Sequence, residues 1–209
     1  MLFRSRITSV ILANVPDSTI IGEEGGKKGT GAVHWYIDPI DGTANFARGI
    51  AHWCVSIAAA IDGQVIAGVV YDPVARHLFS ADLWNAYLNG QPITARAYAE
   101  EQQATLVSSF PSARILNALG TKALAAQADF LNTFMGVRNL GSAALNLCNV
   151  AAGWVDGTFG LDSNPWDVAA GMLIVQQARG NFVGYRDGEL KEPAFLQPDY
   201  FAIGKGAHY

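Results

Sequence analysis

An apolar, β-prone segment at residues 33–37 runs directly into Asp38-Pro39-Ile40-Asp41-Gly42-Thr43. No other junction in the chain restricts its fold as much. A strand ends there with two carboxylates three residues apart, and Pro39 between them removes a backbone donor and fixes the local geometry. Both side chains are thereby free to turn the same way. Gly42 lets a ligand approach the backbone closely. Thr43 adds a hydroxyl, and a short helix starting here presents free N–H groups to an anion such as phosphate. Hard oxygen ligands beside anion donors suit magnesium, which is held by a few carboxylates, waters and phosphate oxygens. Asp-Pro and Asp-Gly alone are ordinary turn formers; the whole string behind an apolar strand is what carries specificity.

The flanking segments set the architecture. Residues 6–14 read as a helix with Ile7, Val10 and Ile11 on one face. Pro16-Asp17-Ser18 ends it, and residues 19–22 form a short strand that delivers Glu23 and Glu24. Residues 25–31, rich in glycine and lysine, read as a mobile loop. Strands at 53–61, 64–71 and 77–81, with Asp62-Gly63 and Asn89-Gly90 as tight turns, continue as an antiparallel meander. From about residue 105 the pattern changes. Strands at 106–110, 137–140, 155–159, 181–185 and 200–203 alternate with helices at 113–134, 142–152 and 164–178. Ser142 is a fitting N-cap, and Gly180 stops the last helix. A strand-rich half, about 1–104, followed by an alternating half, about 105–209, predicts one α+β domain of stacked sheet and helix layers.

Charged residues make up only 15% of the 209, against roughly 25% in a typical soluble domain. So little surface-covering material implies a large core, a buried subunit interface, or both. The net charge of −4 and the scattered basic residues exclude the clustered footprint of a nucleic-acid binder. The apolar runs are too short or too polar to span a bilayer, and the first residues do not read as a signal peptide. The expectation is a cytoplasmic protein with neither nucleic acid nor membrane as partner. Cys54 and Cys148, each in an apolar stretch, read as buried free thiols. His34, His52, His77 and His208 are scattered and read as non-ligands, and Trp35, Trp53 and Trp154 as core.

The hexapeptide closely resembles a signature of the inositol monophosphatase family. Ile21-Gly22-Glu23-Glu24 resembles the family's upstream acidic motif, Gly141-Ser142-Ala143-Ala144 its substrate-side helix start, and Trp166-Asp167-Val168-Ala169-Ala170-Gly171 its second signature. The resemblance implies a layered α/β/α/β/α sandwich of the inositol monophosphatase and fructose-1,6-bisphosphatase type, acting as a homodimer. It implies magnesium-dependent, lithium-sensitive hydrolysis of a small phosphate monoester, such as inositol monophosphate or another polyol or sugar phosphate. By the same resemblance, Glu23, Asp38 and the backbone carbonyl of Ile40 hold one magnesium. Asp38, Asp41 and Asp167 hold a second, with room for a weak third. Glu23 and Thr43 orient the attacking water, and Asp41 joins them as a catalytic group. Asp41, Gly42 and Thr43 bind the phosphate, and Ser142 and Ala143 line the leaving-group pocket. Asp167 alone could simply cap a helix; the match of Trp166-Asp167 and the small residues after it to the family block favours the ligand. Glu24 points away from Glu23 in an extended segment and reads as a surface residue.

Two departures from the family pattern stand out. Alignment on Pro16 puts a further acidic residue of the family at or before Met1, so that acid and most of the N-terminal helices are expected to be missing, as is a closing helix after Gly204. Inositol-specific members also carry a glutamate where this chain has Gly160, seven residues before Asp167. Histidinol phosphate, a fructose bisphosphate and a 3′-phosphonucleotide therefore stand beside inositol phosphate as substrates. A non-catalytic regulatory binding protein is the alternative from another class.

Overall fold

Strands dominate the first half, and neighbours in sequence are mostly neighbours in space. The structure is a computed structural model that describes residues 2–23 and 25–207, so the expectations for Glu24 and His208 lie outside the described residues. After the helix Leu2–Asn14 (α1) come Ser18–Gly22 (β1), Gly26–Lys28 (β2), Val33–Asp41 (β3), Cys54–Ile61 (β4), Gln64–Asp72 (β5), His77–Ala81 (β6), Ala86–Leu88 (β7) and Gln91–Pro92 (β8). They form a sheet in the order β2-β1-β3-β4-β5-β6-β7-β8. β1 and β3 run parallel and the other neighbours antiparallel. Asp62-Gly63 and Asn89-Gly90 have positive φ at both residues, as two-residue hairpin turns with the twist of their strands require.

The glycine- and lysine-rich stretch expected as a mobile loop is instead ordered in part. Gly26, Lys27 and Lys28 pair with Gly22, Ile21 and Ile20. The edge of β1 offers unpaired backbone groups, and this short, charged strand blunts it.

The second half supplies Thr105–Val107 (β9), Gly136–Arg138 (β10), Gly157–Gly160 (β11), Asn181–Arg186 (β12), Glu189–Leu190 (β13) and Asp199–Ile203 (β14). Their sheet has the order β10-β9-β11-β14-β12-β13. β9 is shorter than expected because Ser108 turns its hydroxyl to the Phe159 carbonyl and accepts from the Phe110 N–H. The single helix expected at 113–134 is two, Ala113–Leu119 (α3) and Thr121–Thr133 (α4). Gly120 between them takes φ 57, ψ −132, a backbone conformation that glycine alone adopts readily.

Ala143–Ala151 (α5) and Pro165–Gln177 (α6) pack on one another between the two sheets. α6 is buried without a break from Val168 to Val175, as befits a helix apolar all round. Gly171 permits this packing, since a Cβ there would lie 2.6 Å from Leu147 Cδ1. On the outer face of the first sheet, Ile7 and Ile11 of α1 cover Ile20, Trp35, Ile37 and Ile57. α4 flanks β10, and its Phe130 meets Phe110 and Phe159. The layers thus run α1, sheet, α5 with α6, sheet, α3 with α4: an α+β sandwich in the expected order. Cys54 and Cys148 are free and buried. Trp154 is not core: it is 52% exposed and rests on the rings of His77 and Phe79. Among the described residues, no helix is long and apolar enough to cross a membrane.

Candidate active site

The end of β3 is irregular, and the irregularity positions the carboxylates. Asp38 pairs with Ser56 and Asp41 with Cys54 across β4, with a register shift between them. Such a bulge re-aims side chains at the end of a strand. Asp38 Oδ1 then accepts from the Ile40 N–H at 2.9 Å. Gly42 follows in the left-handed region, φ 87, and opens the short helix Thr43–Arg48 (α2). A Cβ on Gly42 would lie 3.1 Å from the His52 carbonyl and 3.3 Å from that of Gly141. This position therefore brings three backbone segments together. Asn45 completes the junction, donating at 2.8 Å to both His52 O and Leu140 O.

Asp41 is the buried hinge of the arrangement. Its Oδ2 accepts from the Ser142 hydroxyl at 2.5 Å and from the Ala144 N–H at 2.8 Å, which ties the end of β3 to the start of α5. Ser142 Oγ in turn accepts from the Leu145 N–H, the N-cap role its sequence position implies. Ser142 therefore stands behind the pocket wall, while Ala143 lines the cavity itself. Asp167 shows the capping half of its two readings: Oδ2 accepts from the Asn164 backbone N–H at 2.9 Å and from its side-chain amide at 3.2 Å. Asp167 also lines the same cavity as Ala143.

Electrostatics connects these groups. Burial pushes Asp38 up to about 7, helped by the charges of Asp41, Asp167 and Glu23 and opposed by the Ile40 N–H. Burial raises Asp167 to about 6, with Asp41 and Glu23 adding to the rise and the Asn164 donors opposing it. Asp41 is raised too, by burial above all, although Ser142, Ala144, Ala143 and Cys54 donate to it. Clustered carboxylates in a low dielectric resist joint ionisation unless a cation sits among them.

The donor set fits a hard divalent cation: carboxylate oxygens and the Ile40 carbonyl, with no imidazole or thiolate needed. Among the described residues, no three His, Cys, Asp or Glu side chains are closed around one centre; Asp41 and Asp167 each direct one oxygen to protein donors. Glu23, Asp38, Ile40 and Thr43 share the wall of one cavity of about 190 Å³. Ala143 and Asp167 belong to another of about 180 Å³. Thr43 Oγ1 donates to the Ile40 carbonyl at 2.9 Å, which leaves that oxygen its second lone pair.

Several neighbours of the site escape a reading of the sequence. Arg4, 8% exposed, lines the cavity of Glu23 and Asp38 and donates to Gly26 O; in an amphipathic helix an arginine reads as a solvated residue. Asn45 acts through two carbonyls distant in the chain. Asn146 and Tyr200 line the cavity of Asp167, and nothing local marks them.

Similarity to known proteins agrees with this geometry. The chain is 38% identical over 189 residues to the Nus factor SuhB of Pasteurella multocida, covering 87% of this chain and 68% of that one. It spans about two thirds of the length of the curated relatives it matches. The inositol monophosphatase of Anabaena (Nostoc) superposes with a TM-score of 0.86 at 32% identity, over 97% of this chain and 80% of that one. SaIMPase-II, solved with inositol monophosphate bound, superposes with a TM-score of 0.84 at 27% identity, over 99% of this chain and 79% of that one. The same protein solved with 2′AMP bound gives a TM-score of 0.83 at 28% identity, over 99% and 78% of the two chains. The sequence pattern of the inositol monophosphatase family matches residues 3–206, a span that takes in β1, β3, α5 and α6 with all the carboxylates discussed, so the chain belongs to the inositol monophosphatase family.

Proposed function

We propose that this chain hydrolyses a small phosphate monoester in the cytoplasm, with Glu23, Asp38, Asp41, Asp167 and the Ile40 carbonyl holding two magnesium ions and a weak third. The observation that carries this reading is electrostatic: Asp38, Asp41 and Asp167 are each held above the ordinary carboxylate range by burial, and Asp38 and Asp167 also by neighbouring carboxylates. A cation relieves that cost. Membership of the family and the likeness to solved inositol monophosphatases support it. Magnesium, when bound, lowers the proton affinity of water and draws charge from a phosphoryl group.

The residues of the chain do the positioning. The Thr43 proton is committed to Ile40 O, so its oxygen is left to accept from an attacking water. Glu23, on the wall of the same cavity, orients that water as general base. The N–H groups of Gly42 and Thr43 hold the phosphate, and Asp41 keeps them in register with α5 through Ser142 and Ala144. Ala143 faces the leaving group. SaIMPase-II has been solved with inositol monophosphate and with 2′AMP, so both ester classes are candidates here.

Phosphate release from a panel of monoesters, with magnesium and with chelator, tests the reading. Release is expected only with magnesium and is suppressed by lithium; a folded preparation that releases phosphate from no substrate overturns it. The name Nus factor on the SuhB relatives favours one second reading, a regulatory protein without catalysis. A net charge of −4 gives little footing for nucleic acid, so its partner would be a protein. Calorimetry with magnesium and a non-hydrolysable phosphonate separates the two, because the regulatory reading requires neither to bind.

A further inference from the structure

An arginine on the buried stripe of α1 puts a fixed positive charge among the carboxylates. Arg4, Ile7 and Ile11 follow one another at spacings of three and four residues, so they share one face of the helix. Ile7 and Ile11 pack with Ile20 and Ile37 of the first sheet. One turn earlier the same face reaches the end of β1, where Glu23 follows Gly22, and the part of β3 that carries Asp38. Arg4 is only 8% exposed there. It lines the cavity of about 190 Å³ whose wall also holds Glu23, Asp38, Ile40 and Thr43.

The turn between β1 and β2 is shaped to receive the guanidinium. Nη2 donates to Gly26 O at 3.3 Å. A Cβ on Gly25 would lie 3.1 Å from Nη1, and one on Gly22 would lie 3.8 Å from Nη2. A side chain at position 25 would therefore press on the guanidinium, and Gly22 brings it beside the residue that precedes Glu23. Arginine stays charged at any working pH and has no lone pair to offer a metal. The cavity thus holds a cation it cannot shed, beside the groups assigned to a magnesium ion.

The other metal centre has no such neighbour. No Lys, Arg or His lines the cavity of Asp167. Asp41 is held by the Ser142 hydroxyl and the Ala144 N–H, which are neutral donors. A fixed positive charge repels an arriving divalent ion, and strongly so where little water screens the pair. The two centres therefore differ in the charge they offer, although both are built of carboxylates.

Resting on the two-magnesium reading above, we propose that Arg4 is a built-in competitor of magnesium at the Glu23 end of the site. Its guanidinium offsets part of the negative charge of Glu23 and Asp38. The centre formed by Glu23, Asp38 and the Ile40 carbonyl is then the weaker of the two and fills at the higher magnesium concentration.

The test reads metal binding directly, with no turnover. Manganese suits the same oxygen donors, and its paramagnetic resonance signal counts free ions during a titration of the whole chain. The wild type is expected to bind two principal ions with dissociation constants about fivefold or more apart. Arg4→Gln is expected to tighten the weaker ion about fivefold or more, and more than the tighter one. Arg4→Lys, which keeps the charge, is expected to stay within about twofold of the wild type at both. Arg4→Met serves if the glutamine variant does not fold. An arginine that only supports the fold would leave metal binding unchanged or loosen it when neutralised, and either result overturns the proposal while leaving the two-metal reading intact. A wild type that binds no manganese overturns that reading and this proposal together. If neither neutral variant folds, the wild type decides: two ions of equal affinity overturn the proposal, and ions that far apart uphold it.

Discussion

Asp38 and Asp167 carry a consequence for stability that can be measured without any substrate. Their folded-state values, about 7 and about 6, lie above the 3.8 expected of an aspartate in the unfolded chain. Below pH 3.8 both states are protonated and these groups contribute nothing. As pH rises from there toward 7, the unfolded chain has released protons that the folded chain still holds, so stability falls through this window. The chelator-treated protein is therefore expected to melt at a lower temperature at pH 8 than at pH 5, and magnesium is expected to raise the melting temperature more at pH 8. A melting temperature that climbs steadily from pH 5 to 8 in chelator contradicts the cause assigned to these shifts. At this scale the sequence is informative where function is local. Asp38, Ile40, Asp41, Gly42 and Thr43 are contiguous, so their chemistry shows in one reading. Asn146 and Tyr200 come to one cavity only through the packing of α5 on the second sheet and the register of β14, and no spacing along the chain reveals that.

Among the elements, Asp156 helps tie the end of the first half to the second. Its two carboxylate oxygens accept from the Tyr98 and Thr105 N–H groups, each at 2.7 Å, and the residue is buried. Asp156→Ala would strand both donors, and hydrogen bonds to a charged group contribute about 1.5–3 kcal/mol each. A loss of about 3 kcal/mol in denaturant unfolding is expected, and a loss below 1 kcal/mol would show that other contacts hold the join. Asn45→Ala should act differently, because Asn45 links α2 to the lead-ins of β4 and α5 rather than filling a core. Turnover is expected to drop at least tenfold with a change of no more than about 2 kcal/mol in stability; full activity would remove Asn45 from the positioning of the site. The elements themselves were readable to different degrees. The hairpins at Asp62-Gly63 and Asn89-Gly90 follow from turn chemistry, and α6 from its capping residues and unbroken apolar run. β2 does not, since a strand of Gly-Lys-Lys exists only because the edge of β1 is there to pair with it. Gly120 offers a local signal for the break between α3 and α4, outweighed in the sequence by helix formers on both sides.

For the whole molecule, the low charge content has two outlets. One face of β4 is buried, with Cys54 and Ala58 in the core that α5 and α6 share and Ser56 donating to the Trp166 carbonyl of α6. The opposite face carries Val55, Tyr71 and Leu78 in cross-strand register, and Tyr71 and Leu78 are 40% and 41% exposed. A homodimer through this row is our expectation, read by light scattering at several micromolar concentrations; Leu78→Lys should shift the mass toward one chain, and a strictly monomeric wild type would remove the proposal. Whether magnesium-dependent hydrolysis runs through these carboxylates is read from phosphate release from 4-nitrophenyl phosphate as magnesium is titrated, in wild type and in Asp41→Asn. The substitution keeps the size of the side chain while removing its charge. Saturable magnesium-dependent release is expected of the wild type, and a loss of at least two orders of magnitude in Asp41→Asn, about 3 kcal/mol of transition-state stabilisation, with the variant still folded. Release that is independent of magnesium, or equal in the two proteins, would contradict it.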